Sequence, residues 1–161
     1  SEVFSAILEL IRPVGTYLYG RRMYETMAGW DTAHLDPNAP AFIPGLKELE
    51  TDFANVWRNA DKIVYSKTLQ RASTARTRID AFDPDQIRQL KATSERDLNV
   101  GGPNIAAAMI AANLVDEFHA FVAPIIIGGG KPWLPQDLRI PLELASEQRL
   151  GRVVHLHYRR A

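Results

Sequence analysis

A chain of 161 residues, 46% hydrophobic and 24% charged, has the length and make-up of one globular domain spanning residues 1–161. Its 19 Lys and Arg balance 19 Asp and Glu, so no overall field exists to hold a polyanion, and neither nucleic acid nor a membrane surface is an expected partner. With no cysteine, disulfides, thiolate metal sites and a cysteine nucleophile are excluded, and a reducing, cytoplasmic setting is expected.

Val3, Phe4, Ile7, Leu8, Leu10 and Ile11 fall at helical spacing, and Pro13 ends that helix. Glu2 and Glu9 interrupt the stretch, so it does not read as a signal peptide. No apolar run reaches the roughly 18 residues of a membrane span. Thr16 to Tyr19 is a short β-prone run stopped by Gly20, and Arg21 to Trp30 reads as helix. Asp31 to Pro44 holds three prolines and little periodicity, which predicts a loop. Leu46 to Trp57 is a third helix, followed by strands at Lys62 to Ser66 and Thr77 to Asp80. Asp83 is an N-cap with Pro84 at the first helical position. Asp97 to Val100 is a strand running into Gly101-Gly102, and Pro103 to Ala112 is an alanine-rich helix. Glu117 to Ile127 is β-prone up to a run of three glycines. Leu142 to Arg149 and Val153 to Tyr158 alternate as two strands about Gly151. Strands alternating with helices predict an α/β fold: a central, mostly parallel sheet flanked by helices, ending in an antiparallel hairpin.

Ligands of open α/β sheets bind beyond the carboxyl ends of the strands, and three such ends carry anion-binding chemistry. Gly20-Arg21-Arg22 places a small residue and two cations at a helix start, where the helix dipole opposes cations unless an anion joins them. Solvated arginines or pairing with acids is the equally weighted alternative. Ser66-Lys67-Thr68 sets a hydroxyl beside an ammonium at a strand end, although a plain turn explains that segment better when it is taken alone. Gly101-Gly102-Pro103-Asn104 allows close backbone approach before a helix N-terminus, although a lone Gly-Gly is more often a tight turn. Together the three ends predict a ligand with several phosphates. Neither a G-x-G-x-x-G fingerprint nor a Walker loop is present.

The runs Gly101 to Phe118 and Val122 to Pro132 resemble the C-terminal reductase domain of the bifunctional riboflavin-biosynthesis deaminase/reductase, a member of the dihydrofolate-reductase-like group. Thr16 to Glu25 is similar to the group's G-R-x-T-x-E segment, and Gly151 to Arg159 to its last strand. The resemblance implies NADPH as cofactor. Gly20, Arg21 and Arg22 would lie near its phosphates, Ser66 and Lys67 at the adenosine 2′-phosphate, and Gly101, Gly102, Pro103 and Asn104 at the pyrophosphate. It also implies a homodimer acting on a small-molecule substrate.

Departures from the family narrow the expectation. Its first strand, with an S-x-D-G motif, has no counterpart here, so the domain is expected to lack that strand. Met23 replaces a frequent Thr, Val100 replaces a frequent Glu, and no acid fits the folate-gripping position near Phe4. Trp30 is a candidate for the substrate rim, although a packed Trp beside a loop is commoner. Asp116 and Glu117, as strand neighbours, point to opposite faces and cannot form an acid/base pair. His155 and His157 share a face, but with His34 and His119 not evidently near, no metal site is expected. The expectation is therefore an NADPH-dependent reductase of a small heterocyclic substrate, with no catalytic residue assigned. A non-catalytic nucleotide-binding or oligomer-forming protein on the same scaffold is the alternative.

Overall fold

In a computed structural model of the protein, residues 1–33, 38 and 40–161 are described here. His34 and part of the expected loop over 31–44 lie outside them. Helix α1 (Glu2–Ile11) is capped by the Ser1 hydroxyl, which accepts from the Phe4 N–H at 3.5 Å. Strand β1 (Val14–Gly20) leads into α2 (Arg21–Met27), and a 3₁₀ turn (Ala28–Asp31) completes the segment read as one helix. Next come α3 (Lys47–Asn59), β2 (Asp61–Tyr65) and β3 (Thr77–Asp80). Helix α4 (Pro84–Thr93) starts as expected, with Asp83 Oδ1 accepting from the Asp85 N–H at 2.9 Å. Strand β4 (Asp97–Gly101), α5 (Pro103–Ala111), β5 (Glu117–Val122), β6 (Leu142–Leu150) and β7 (Val153–Arg160) complete the order.

The β-prone run does not extend to Ile127. Strand β5 stops at Val122, because Val122 pairs with Val154 and its partner strand turns away at Gly151 just beyond. Pro124 then lacks the N–H a ladder needs. Ile125, Ile126 and Ile127 consequently lie exposed in an irregular segment.

Two sheets result. One is parallel, in the order β3-β2-β1-β4; the other is antiparallel, in the order β5-β7-β6. The parallel sheet is covered on both faces, as buried parallel sheets are. Alternation along β1 sends Tyr17 and Tyr19 into a core with Leu8, Phe53 and Trp57, and Leu18 into a second core with Ile63, Ile87 and Met109. Strands β4 and β5 each present an open edge, and residues of both line one cavity of about 740 Å³. Among the described residues no helix is long and apolar enough to cross a membrane.

Lys62 is 1% exposed. Its ammonium donates to the carbonyls of Trp57, Arg58 and Ala60 at the end of α3 and sits 4.3 Å from the Trp57 ring centroid. Burial nevertheless drives its pKa down to about 8. In the unfolded chain the amine titrates near 10.4, so between about pH 8 and 10.4 the unfolded state binds more protons and stability rises with pH. From pH 7 to 9.5 this one group should add about 2 kcal/mol, at about 1.4 kcal/mol per pKa unit. Urea unfolding at both pH values, with Lys62→Met as reference, checks it; equal slopes for the two proteins would refute the assignment.

Candidate functional site

The three predicted phosphate corners sit on neighbouring strands. Tyr19 of β1 is in register with Gly101 of β4, and Gly20 of β1 with Tyr65 of β2, so the ends at Gly20, Ser66 and Gly101 stand side by side. Two details bind them into one surface. The Arg21 guanidinium donates from Nε to Glu25 Oε1 at 2.7 Å and from Nη1 to Thr68 Oγ1 at 3.0 Å, which joins the first corner to the second. A side chain on Gly102 would meet Met23 Cβ at 3.3 Å and the Gly20 nitrogen at 3.9 Å, so the first and third corners touch.

Glycine is required at the third corner. Gly102 has φ +105°, which side chains rarely tolerate, and a Cβ on Gly101 would lie 2.7 Å from Tyr19 Cε1. Neither Gly20 nor Gly102 caps its helix with a side chain, and Pro103 occupies the first turn of α5, with Asn104 exposed beside it. Ser66 Oγ accepts from the N–H groups of Thr68 and Leu69, at 3.2 and 3.0 Å, and so shapes the turn that carries Lys67. Lys67 is exposed, and among the described residues neither it nor the Arg22 guanidinium has a hydrogen-bond or ion-pair partner.

The sequence places Thr68 in the second corner but gives Tyr24 no role of its own. The Tyr24 hydroxyl, on a side chain 1% exposed, accepts from the N–H groups of Ser73 and Thr74 at 2.9 and 3.1 Å. Burial raises its pKa, but these bonds and those of the Ser73 and Thr74 hydroxyls outweigh it and bring the phenol below its ordinary value. This contact ties the segment after Ser66 to α2. It joins residues 49 and 50 positions apart, a separation with no local sequence signature. Trp30 packs against Phe53 and Phe42, with centroids 4.6 and 5.1 Å away, and borders neither of the two cavities described here. Arg76 and Arg78 are more than half exposed and pair with Asp61 and Asp80.

The 740 Å³ cavity begins beside the third corner, at Val100 and Ala106, and runs between the sheets past Phe118, His119 and Phe121. A second cavity of about 330 Å³ lies at the opposite, amino-terminal strand ends around Thr16, Asp61 and Thr77. Gly20, Ser66, Lys67, Gly101 and Gly102 line neither of these two cavities.

The antiparallel sheet gathers histidines. His119 of β5 stands directly opposite His157 of β7, and Phe121 opposite His155. The sequence left His119 apart from the other two, since only the strand register brings them together. Burial, with the neighbouring His157 adding to it, holds His119 and His155 below the ordinary imidazole range. Asp116, just before β5, accepts from Lys91 Nζ at 2.6 Å, a structural tie to α4.

Known proteins share this architecture. The crystal structure of a putative riboflavin biosynthesis protein from Shewanella sp. PV-4 superposes with a TM-score of 0.67 at 18% identity, covering 98% of this chain and 78% of that one. The diaminohydroxyphosphoribosylaminopyrimidine deaminase/5-amino-6-(5-phosphoribosylamino)uracil reductase of Thermotoga maritima gives 0.63 at 13% identity, covering all of this chain and 49% of its own. Acinetobacter baumannii RibD gives 0.62 at 12%, and this chain spans 51% of it. In sequence, the uncharacterized protein YyaP of Bacillus subtilis (strain 168) is 23% identical over 153 residues, which is 93% of this chain and 76% of YyaP. The fold is thus the dihydrofolate-reductase-like one expected from the sequence. The sequence profile of the RibD C-terminal domain matches residues 9–156, nearly the full length, and the chain belongs to that family.

Proposed function

We propose that this protein is an NADPH-dependent reductase of a small heterocyclic substrate, acting as a cytoplasmic homodimer. The observation that carries the reading is the side-by-side placement of the Gly20, Ser66 and Gly101 corners on β1, β2 and β4. The residues present suit the cofactor. The corner at Gly101 and Gly102 stays bare backbone, because a Cβ there would meet the Tyr19 ring or Met23, and bare backbone before a helix start suits a pyrophosphate contact. Pro103 and Asn104 open α5 above it, and Arg21 and Arg22 supply charge beside Gly20. Lys67, exposed and without a partner among the described residues, suits the 2′-phosphate, and the Ser66 hydroxyl, set 3.5 Å from Thr68 Oγ1, can turn its proton from that long contact to the phosphate.

A bound nicotinamide supplies the hydride, while the chain binds and orients it. The cavity between the sheets starts at Val100, next to the cradle, and its 740 Å³ falls within the roughly 300–1,000 Å³ typical of small-molecule sites. We assign the substrate to that cavity.

Titration with NADPH, followed by tryptophan fluorescence, tests the cofactor. Lys67→Ala should weaken NADPH at least tenfold, since a charge-assisted bond contributes about 1.5–3 kcal/mol, and leave NADH nearly unchanged. Equal losses for the two nucleotides would refute the 2′-phosphate assignment. Consumption of NADPH with a panel of carbonyl and imine heterocycles separates a reductase from a binder. Sedimentation equilibrium tests the dimer.

A further inference from the structure

We propose that Glu117, His119 and His157 form a binding site for one borderline divalent metal ion of the zinc class, on the face shared by β5 and β7. The Glu117 Oε2 atom lies 3.1 Å from His157 Nε2 and 3.6 Å from His119 Nε2, and all three donor atoms fall within 4.8 Å of one another. Two donors on one ion at metal–ligand distances of about 2.0–2.1 Å stand roughly 3.3–3.4 Å apart in tetrahedral geometry, between the two separations seen. Two imidazoles and one carboxylate are the ligand types such an ion takes, with a further position left open.

The second observation is His155. Its Nε2 lies 3.0 Å from His119 Nδ1. A hydrogen bond donated by Nδ1–H of His119 leaves Nε2 of the same ring as a bare lone pair. That lone pair then faces Glu117 Oε2, another acceptor. In that tautomer the contact is repulsive and a cation between the two atoms relieves it; in the other, His155 donates to His119 and the His119 Nε2–H faces the carboxylate. An outer partner on the second nitrogen is also how ligating histidines are held. Arg159 Nε, 3.5 Å from the other oxygen Oε1, engages the side of the carboxylate the ion does not need.

One adjustment is required. The His119 and His157 rings stack at 13° with centroids 4.2 Å apart, so their lone pairs run nearly parallel. Binding must tilt the rings until both point at one ion. Access is open, because Glu117 is 49% exposed while the two rings are 20% and 14% exposed. Glu117 and His119 also border the cavity between the sheets, which leaves room for water or an anion on the open position.

The test uses the full chain without a histidine tag. Calorimetric titration with zinc chloride should give one site at micromolar or tighter affinity, and cobalt(II) should develop the intense visible bands of low coordination number. Glu117→Gln and His157→Gln should each weaken binding at least tenfold, and His155→Ala by about 10–100-fold if it holds His119. His34→Gln, removing the remaining histidine, should change nothing. Histidine ring nitrogen shifts in the unmutated protein give a readout independent of whether variants fold: His119 and His157 should move together on adding zinc. Absence of binding below millimolar zinc, or binding that survives Glu117→Gln and His157→Gln, overturns the proposal.

Discussion

Trp57→Ala should cost the protein about 3–5 kcal/mol, the range for truncating a large aromatic in a core that cannot collapse around the void. Trp57 is wholly buried. Its ring covers the Lys62 ammonium, and its indole N–H donates to the Tyr19 hydroxyl at 3.0 Å. Removal leaves a void, a buried phenol without its donor and a buried cation without its aromatic face. The melting temperature should fall by roughly 10 °C or more for a chain of this size. Calorimetry checks this; a shift of only a degree or two would mean that the packing around α3 is not as described.

Gly101→Ala should have the largest effect on nucleotide binding. The new Cβ would lie 2.7 and 2.9 Å from the Tyr19 ring. That ring cannot retreat, since it is 2% exposed, stacked on Tyr17 at 5.5 Å and tied to Trp57. The corner itself must move outward, at about 1–3 kcal/mol of stability. A shift on the order of 1 Å in a positioning group costs about a hundredfold in function, so NADPH affinity should drop by that order. Gly129→Ala is the control, because a Cβ there meets nothing within 4 Å. Similar NADPH affinities for both variants would exclude the Gly101 corner from the site.

The sequence revealed the order of elements because each carries its own punctuation. Asp83-Pro84 marked α4, Gly101-Gly102 the exit of β4, and Gly151 the last hairpin. The β-prone run through Ile127 misled because strand formation depends on a partner, and β7 offers none past Val154. The corners at Gly20, Ser66 and Gly101 were legible one by one from residue type. Their adjacency, the Arg21–Thr68 bond and the Tyr24 anchor are properties of the strand order, and no local pattern encodes them. The same holds for His119 and His157, which alternation places on the faces of their own strands but only register places opposite each other.

The division into two hydrogen-bonded ladders makes the molecule unequally stiff. The three corners belong to a single ladder, so their mutual spacing is locked by backbone bonds and would serve the proposed nucleotide as a fixed ruler. The seam between β4 and β5 is spanned by side chains instead, whose repacking is cheap beside the rupture of a ladder. Compliance is therefore concentrated where a guest of variable shape would sit, and withheld where the distances must not change.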